Sequence, residues 1–356
     1  MKVAHILKAL NPGGIEAWLK DLSYVDKNEL YYLVQDENEG FFDREVEKND
    51  VKIIKTPFRN GLISYSIFLY KFFKTQKIDV VHSHVNLSSG WILFLAFLAG
   101  VKVRIAHCHN DKRSEYKNAK AIKKAYFLVM KLFVNIFANE KISVSVDSAK
   151  SMFYSMDNVK IIPCGLSFKR NSSLTKSELG LCEDDIVLTH IGRFVDQKNH
   201  DFVVEILSHM NNEKVKLLLV GQGDKEHAIR AKVMELGLQE RVFFLGIRND
   251  VNELLHDVSD FFILPSKFEG LGLVAVEAQS NNVYTLVSQA LPDDVKISDF
   301  IEFLEIEYPE EWANKIKELI LKDMHEQSRM MTYHNERFTI QTNMEKINKV
   351  YKNEWS

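Results

Sequence analysis

The sequence predicts two α/β domains, each built on a parallel β-sheet with helices on both faces. A chain of 356 residues is longer than one hydrophobic core usually serves, so about two domains are expected. Short apolar strands alternate with helical patterns, which is typical of βαβ units. The alternation pauses at a polar stretch, Lys169–Ser177, and then resumes. We therefore expect doubly wound, Rossmann-like domains over 1–165 and 166–335, with a last helix, 336–356, packing back on the first domain.

The first half opens with an apolar strand at Val3–Leu7, a Pro-Gly-Gly turn and a helix from about Glu16. An aromatic-rich helix is expected at Leu62–Lys74, a buried helix at Ser89–Ala99 and a long helix at Lys120–Asn139. Further strands of this half are expected at Tyr31–Val34, Val51–Ile54, Asp79–Ser83, Val101–Ala106, Lys141–Val144 and Val159–Ile162.

The second half repeats the alternation. Strands are expected at Ile186–Ile191, Val215–Val220, Val242–Leu245, Phe261–Leu264 and Tyr284–Val287. Helices are expected near His200–Met210, Lys225–Leu236 and Val251–Leu255, and around Glu277. From Glu310 to the end the pattern is helical. Sheets of this kind bind ligands at the carboxyl ends of their strands, near the switch point of the strand order. Two such sheets facing each other would form a cleft between the domains.

Composition narrows the class of protein. With 46% hydrophobic and 27% charged residues, the chain has an ordinary globular composition. Three cysteines, an odd number without a Cys-x-x-Cys pair, favour a reducing compartment and no cysteine zinc site. The longest apolar run, Trp91–Ala99, is short of the ~20 residues that span a bilayer. No signal-peptide core follows Met1, so we expect a cytoplasmic protein.

The charge is unevenly distributed. Residues 1–165 carry a net charge of +7, and residues 166–356 carry −10. Within the first half, the segment 112–131 interleaves seven basic residues with aromatic and aliphatic ones. This pattern fits a helix lying on an anionic membrane, although a core-facing helix with a solvated basic face is the commoner case. We favour membrane contact at the inner face of the plasma membrane. No nucleic-acid recognition motif is present.

The most informative segment contains Glu269 and Glu277, eight positions apart, after the strand Phe261–Leu264. Between them Gly270-Leu271-Gly272 predicts a tight turn that leads into a helix. Glycines let a ligand approach the backbone closely, and free N–H groups at a helix start can hold an anion. One carboxylate on the turn and one in the helix suit a ligand with hydroxyls at both ends and phosphates between them. A nucleotide sugar has that form.

Two other loops carry candidate ligand groups. Arg193 and Lys198 follow the strand that ends at Ile191, and together they can neutralise a diphosphate. Gly13-Gly14 follows the first strand and can cradle a phosphate or sugar, although a simple tight turn is the alternative. Neither this pair nor Gly221-x-Gly223 completes the dinucleotide fingerprint, which disfavours a nicotinamide enzyme.

Histidines also follow two neighbouring strands. His82 and His84 end one strand, and His107 and His109 end the next. They could move protons or ligate a metal. No carboxylate-rich ligand set accompanies them, so we expect buried polar side chains rather than a metal site, with one histidine touching the sugar.

Together these motifs resemble the retaining glycosyltransferases of family 4, which have the GT-B fold. The resemblance covers nearly the whole chain in order, and Glu269 to Glu277 is similar to the family's E-x7-E signature. Other similar segments are Asn11–Glu16, Asp79–His84, Val103–Asn110 and His190–Asn199. The subgroup that the chain resembles most builds capsular or exopolysaccharides in bacteria.

The chain departs from the family pattern at two turns. It has Cys164-Gly165 where the family often has Asn-Gly, and Asn281-Asn282 where a Gly-Leu-Pro turn is common. Asn is the next-best residue after Gly for a left-handed helix cap, so we expect the fold to survive.

The resemblance implies metal-free transfer of a sugar from a nucleotide donor, with uridine the expected base, to a lipid-linked or polysaccharide acceptor. It assigns leaving-group stabilisation to Arg193 and Lys198, ribose binding to Glu277, sugar binding to Glu269, and a sugar contact to His109 or His107. No cofactor is implied. The remaining donor-binding residues that it implies are Gly13, Gly14, Gly192, Gly221, Gly246, Ile247, Gly270, Leu271, Gly272 and Leu273.

Two other functions stay open on the sequence. A nucleotide-sugar epimerase or hydrolase on the same fold would turn over the donor without an acceptor. A non-catalytic partner subunit would bind nucleotide sugar only, and the presence of Arg193, Lys198, Glu269 and Glu277 argues against it.

Overall fold

The computed structural model describes residues 1–170, 172–330 and 336–355, with the backbone alone for residues 114 and 115. Internal contacts divide the chain into two compact units, Met1–Leu166 with Arg337–Ser356, and Ser167–Glu336. Parts of two predicted segments lie outside the described residues: position 171 of the polar stretch, and positions 331–335 and 356 of the helical tail.

The first unit is built on a seven-stranded sheet in which every described pairing is parallel. Its strands lie in the order β3-β2-β1-β4-β5-β6-β7. They are β1 (Lys2–Leu7), β2 (Glu29–Val34), β3 (Lys52–Lys55), β4 (Val80–Ser83), β5 (Val103–Cys108), β6 (Glu140–Ser143) and β7 (Val159–Ile161). The central strands are buried on both faces, which explains their nearly continuous apolar sequence.

Eight helices cover this sheet in the described residues. They are α1 (Gly14–Ser23), α2 (Asp43–Glu47), α3 (Leu62–Thr75), α4 (Ser89–Leu98), α5 (Arg113–Asn118), α6 (Ala121–Phe137), α7 (Val146–Met152) and, at the end of the chain, α14 (Ile340–Tyr351). Helix α14 packs on α1, where Trp18 Nε1 donates a hydrogen bond of 2.8 Å to Asn343 Oδ1. The last helix of the chain therefore belongs to the first unit.

The second unit has a six-stranded sheet in the order β10-β9-β8-β11-β12-β13, again with every described pairing parallel. The strands are β8 (Ile186–Ile191), β9 (Val215–Val220), β10 (Val242–Gly246), β11 (Phe261–Leu264), β12 (Tyr284–Ser288) and β13 (Ile301–Leu304). The helices are α8 (His200–Ser208), α9 (Glu226–Glu235), α10 (Val251–Glu253), α11 (Leu273–Ser280), α12 (Pro309–Leu321) and α13 (Met324–Arg329).

These orders confirm the predicted fold class of two doubly wound Rossmann-like domains. In each unit the chain starts at the centre of the sheet, builds outward to one side, and then crosses to the other. The switch points lie between β1 and β4 and between β8 and β11. The loops that follow these four strands are therefore the expected ligand sites of the two units.

The structure adds elements that the sequence pattern did not indicate: α2, α5, α7 and β13. Strand β13 is an edge strand of only four residues, one of which is Glu302. Its sequence is too short to show a clear alternation of apolar and polar residues. The helix expected at Val251–Leu255 is a single α-turn that continues as a π-helix over Leu254–Val258. At the predicted cap after α11, Asn282 adopts a left-handed φ of 63°, as expected for Asn in place of Gly.

In the described part of the chain, no helix combines the length and apolar character needed to cross a bilayer.

Candidate active site

At the switch point of the second sheet, the loops after β8 and β9 approach each other through glycines. Gly192 N–H donates to Val220 O at 2.9 Å, and Phe194 N–H donates to Gln222 O at 3.0 Å. A Cβ atom at Gly221 would lie 2.1 Å from Gly192 O, and the φ of Gly221 is +131°. This position therefore accepts only glycine without a shift of the backbone. The tight packing fixes the path of the loop that carries Arg193 and Lys198.

The loop after β8 is also joined to the loop after β11. Lys267 N–H donates to Gln197 O at 2.9 Å, and Gln197 Nε2 donates to Phe268 O at 2.8 Å. Asn199, in the left-handed conformation (φ 58°), donates from Nδ2 to Pro265 O at 3.2 Å. These bonds hold the predicted diphosphate loop beside the start of the two-glutamate segment.

The two segments meet in an ion pair between Lys198 and Glu269. Lys198 Nζ donates to Glu269 Oε1 at 2.6 Å, and the two side chains are 18% and 9% exposed. The stem of Lys198 lies across Gly192, where a Cβ would be 3.0 Å from Lys198 Cγ and Cδ. Gly192 therefore positions the ammonium group. Arg193, on the same loop, is exposed to solvent.

The glycine turn of the two-glutamate segment is built as predicted. Gly272 has a left-handed φ of +83° and forms the N-cap of α11, which begins at Leu273. Gly270 and Leu271 are buried in the turn, and Glu277 lies partly buried within the helix. The turn thus ends at a helix N-terminus, whose N–H groups and dipole favour an anion.

Two further predicted donor residues, Gly246 and Ile247, lie at the carboxyl end of the neighbouring strand β10. Gly221 N–H donates to Gly246 O at 2.8 Å, and Gly246 has a φ of +63°. Ile247 follows it and is partly exposed. In the second unit, the structure therefore brings the predicted loops of β8, β9, β10 and β11 to one end of one sheet.

The first unit contains its own group of candidates at the β1–β4 switch point. Gly13 is the N-cap of α1, and Gly14 is its first residue. The φ of Gly13 is −178°, an extended value that any residue adopts, so its backbone does not require glycine. A Cβ at Gly13 would meet the flexible side chain of Glu16. The helix start is compatible with the predicted anion contact.

Five histidines form one buried cluster beside this helix. His82 and His84 share a face of the sheet, as do His107 and His109, because side chains two positions apart point the same way. His5 is the fifth member and lies directly opposite His82 in the β1–β4 register. Trp18 of α1 packs over four of the rings at centroid distances of 5.4 to 6.3 Å.

The cluster is a continuous chain of hydrogen bonds. His109 Nε2 lies 3.0 Å from His84 Nδ1, and His84 Nε2 lies 3.0 Å from His5 Nδ1. Tyr351 Oη lies 3.3 Å from His5 Nε2 and 3.0 Å from His82 Nδ1, and it therefore links these two rings. At one end of the chain, His82 Nε2 lies 3.0 Å from His107 Nδ1. At the other end, Cys164 Sγ lies 3.6 Å from His109 Nδ1.

Burial keeps these histidines neutral. It lowers the pKa of His5 and of His109 to about 3, and it lowers the pKa of the other three well below the usual value. Within the described residues, His107 Nε2 is buried without a hydrogen-bond partner. Both nitrogens of His109 are engaged, and its ring is 6% exposed. The sugar contact expected of His109 or His107 stays a prediction.

Sequence reasoning missed three members of this cluster: His5, Cys164 and Tyr351. The His-x-His spacing on two neighbouring strands was a signal for the other four. Only the strand order, which places β1 beside β4, brings His5 to them. The four predicted histidines are buried polar side chains, as expected, and the structure adds that they are hydrogen-bonded to one another.

Comparison with known proteins finds a family match over most of the second unit. Residues 172–338 match the family described as glycosyl transferases group 1. The capsular polysaccharide biosynthesis glycosyltransferase CapH of Staphylococcus aureus is 27% identical over 336 residues, 91% of this chain and 92% of CapH. A UDP-Gal:α-D-GlcNAc-diphosphoundecaprenol α-1,3-galactosyltransferase of Escherichia coli is 28% identical over 244 residues, 62% of this chain and 60% of that protein.

Solved structures share the fold. The crystal structure of Anabaena Alr3699/HepE in complex with UDP and glucose has a TM-score of 0.83 at 20% identity, covering 99% of this chain and 100% of HepE. The glycosyltransferase WaaG, involved in lipopolysaccharide biosynthesis, has a TM-score of 0.75 at 16% identity over 98% of this chain and 99% of WaaG. The fold is therefore GT-B, and the family match places a segment similar to the group 1 glycosyl transferases over most of the second unit.

Proposed function

We propose that this protein transfers a hexosyl or N-acetylhexosaminyl group from a UDP-linked donor to a lipid-linked or polysaccharide acceptor, with retention of configuration at the sugar. The names of CapH and of the E. coli galactosyltransferase support an acceptor of surface polysaccharide synthesis. The UDP and glucose in the HepE structure support the donor class.

The observation that carries the proposal is the Lys198–Glu269 pair at the switch point of the second sheet. A diphosphate leaving group needs positive charge where the sugar–phosphate bond breaks. Lys198 is already fixed there by Glu269 and Gly192, and exposed Arg193 can close on the phosphates from the same loop. Preorganised cations of this kind stabilise the departing charge without reorganisation at the moment of reaction.

The two glutamates bind the two ends of the donor in this proposal. Glu269 uses one oxygen for Lys198 and, as a carboxylate, keeps acceptor capacity for sugar hydroxyls. Glu277, in the body of α11, accepts the ribose hydroxyls. Backbone N–H groups at Gly270–Gly272 face the phosphates at the helix start.

Transfer then proceeds on one face of the sugar. The bond from the anomeric carbon to the phosphate oxygen breaks, and a bond to the acceptor oxygen forms on the same side. The acceptor's proton passes to an oxygen of the departing diphosphate. Arg193 and Lys198 neutralise the negative charge that a metal ion neutralises in other transferases, so the reaction is expected to need no metal.

We further propose that α6 of the first unit touches an anionic membrane surface. Met130 and Val134 are its buried residues, whereas Ile122 is 88% and Leu128 is 65% exposed. An apolar surface of this kind on a helix, flanked by lysines, suits the boundary between headgroups and acyl chains. The exposed large apolar side chains of α6 are Ile122, Tyr126, Leu128, Val129, Leu132 and Ile136.

The charges of the 112–131 segment divide into two sets. Arg113 pairs with Asp111 and Asp147, and Lys131 donates to backbone carbonyls, so both are engaged within the protein. Lys117, Lys120, Lys123 and Lys124 are exposed, and Lys123 Nζ also lies over the Phe127 ring, 5.3 Å from its centroid. Each of these lysines can add about 1 kcal/mol of attraction to an anionic surface.

A transfer assay tests the function. The enzyme is incubated with a panel of nucleotide sugars and an undecaprenyl-diphosphate-linked sugar, in chelator, and the product anomer is read by NMR. Transfer from one UDP-sugar with an unchanged anomeric configuration supports the proposal. Donor breakdown that is equal with and without acceptor indicates a hydrolase or epimerase instead.

Sedimentation with anionic vesicles tests the membrane surface. Lys123→Glu with Lys124→Glu removes two lysine contributions and adds two negative charges, so it is expected to weaken binding by at least about 30-fold. Lys349→Glu with Lys352→Glu makes the same charge change at the C-terminal end of α14, which packs on α1, and is expected to retain binding. Equal binding by both double variants contradicts the assignment to α6.

A further inference from the structure

The proposed transfer reaction gives no role to most of the histidine cluster of the first unit. Five imidazoles, a phenol and a thiol are joined in one buried chain, and one ring nitrogen, His107 Nε2, is left without a partner in the described residues. We propose that His84, His107 and His109 bind one transition-metal ion of the class that prefers imidazole, with zinc the best match.

The three rings already converge. One ring nitrogen from each lies within 4.8 Å of the others. Tetrahedral zinc with bonds of about 2.0–2.1 Å places its ligand nitrogens roughly 3.3 Å apart. His84 Nδ1 and His109 Nε2 are 3.0 Å apart, so this pair needs to open by only a few tenths of an ångström.

The hydrogen bonds outside the triad select the atoms that would bind the metal. If His107 donates from Nδ1 to His82, its Nε2 presents a lone pair. If His109 donates from Nδ1 to Cys164, its Nε2 does the same. His84 can donate from Nε2 to His5, which leaves Nδ1 as a ligand. Each ligand ring thus has an outer partner that sets its tautomer, the usual arrangement around metal-bound histidine.

The proton count of the cluster is unchanged by this arrangement. The hydrogen between His84 and His109 moves to His84 Nε2, and that of His5 moves to Nε2. Tyr351 Oη then accepts from both His5 and His82. Each imidazole stays neutral, as ligation requires, and their burial-lowered pKa values agree with this state.

The surroundings suit an ion with a structural role. His107 is fully buried, and His84 and His109 are 4% and 6% exposed, so a large substrate has no access to the triad. Trp18 shields the rings. The ion would tie β4 to β5 directly, and through Tyr351 it would tie both to α14. The fourth ligand would be a water molecule, as in other three-ligand zinc sites, but here burial of the triad keeps a large substrate away from it.

This role excludes a direct sugar contact through the ring nitrogens of His109 or His107, because the ion takes one nitrogen of each ring and Cys164 or His82 takes the other. It does not involve Arg193 or Lys198, which belong to the second unit. The proposal therefore stands or falls separately from the proposed transfer reaction.

Metal content provides the test. The full-length chain is loaded with zinc, dialysed against metal-free buffer and measured by mass spectrometry. Wild type is expected to keep about one zinc per chain. His84→Gln and His107→Gln are expected to lose it, while His190→Gln, which removes a buried histidine of the second unit, keeps it. Equal zinc in all four proteins, or none in wild type, overturns the proposal.

A second measurement needs no variant, in case the cluster substitutions do not fold. Wild-type chain titrated with Co²⁺ is expected to show the strong visible bands of tetrahedral cobalt, saturating at one equivalent and displaced by zinc. The weak spectrum of octahedral cobalt throughout the titration would show that the triad does not close on a metal.

Discussion

Replacement of Lys198 by Met tests the proposed leaving-group site most sharply. The substitution keeps the apolar stem over Gly192 but removes the ammonium that lies 2.6 Å from Glu269 Oε1. Coulomb's law at an effective dielectric constant of about 20 gives roughly 6 kcal/mol for two unit charges at this distance, much of which desolvation offsets. Because the two side chains are 18% and 9% exposed, we expect a net loss of stability of about 1–3 kcal/mol.

The loss of transition-state stabilisation in Lys198→Met should exceed its loss of folding stability. Removal of one preorganised donor to a developing negative charge typically lowers kcat by about 100- to 1,000-fold, or roughly 2.7–4 kcal/mol. Steady-state transfer kinetics measures this loss, and denaturant unfolding measures the stability. Combination with Glu269→Gln removes both charges, so we expect stability to recover while transfer stays low.

Lys267→Met is the matched control for this experiment. Lys267 lies on the neighbouring loop and pairs with exposed Asp196 at 3.1 Å, outside the proposed diphosphate contacts. If Lys198→Met loses no more activity than Lys267→Met, the assignment of Lys198 to the leaving group is wrong. If the double variant recovers both stability and transfer, Lys198 acts only as a structural partner of Glu269.

Three other substitutions give separate outcomes. Arg193→Met should lower kcat/KM by about 100-fold with no change in unfolding free energy, because the exposed guanidinium acts only on the donor. Gly221→Ala should destabilise more than Gly237→Ala, measured by denaturant unfolding. Both have positive φ, but a Cβ meets a carbonyl oxygen at 2.1 Å at the first and nothing within 4 Å at the second. Burial lowers the pKa of His190 to about 4, so between pH 6.5 and 4 the unfolded chain binds a proton that the folded chain does not. The free energy of unfolding should therefore fall by up to about 1.4 kcal/mol for each pH unit below 6.5 over this range. Denaturant unfolding at pH 7.5 and at pH 5 should show a smaller difference for His190→Gln than for wild type.

The sequence was sufficient for the parts of the site that lie close together along the chain. The strand Phe261–Leu264, the glycine turn and the helix of Glu277 form a local unit whose apolar run and glycines are visible in the sequence. The doubly wound fold was predictable for the same reason, since each βαβ step is a local pattern. Boundaries shifted by one or two residues where helix ends and strand ends carry weak signals.

Contacts between distant segments were not predictable. Lys198 and Glu269 were assigned to different parts of the donor, and their ion pair arises because two loops 71 residues apart meet at the switch point. The histidine cluster depends on the order of β1, β4 and β5 and on the return of α14 with Tyr351. Side-chain periodicity gives the face of a strand but not its neighbour in the sheet.

Calorimetric binding of UDP in the presence of a chelator tests the central claim, that the second unit holds the donor through the two-glutamate segment. Wild type is expected to bind UDP without metal. Glu277→Gln is expected to bind UDP about 10- to 150-fold more weakly, because charge-assisted hydrogen bonds to the ribose are worth about 1.5–3 kcal/mol. Equal affinity of wild type and Glu277→Gln, or binding that requires a divalent cation, would contradict that claim.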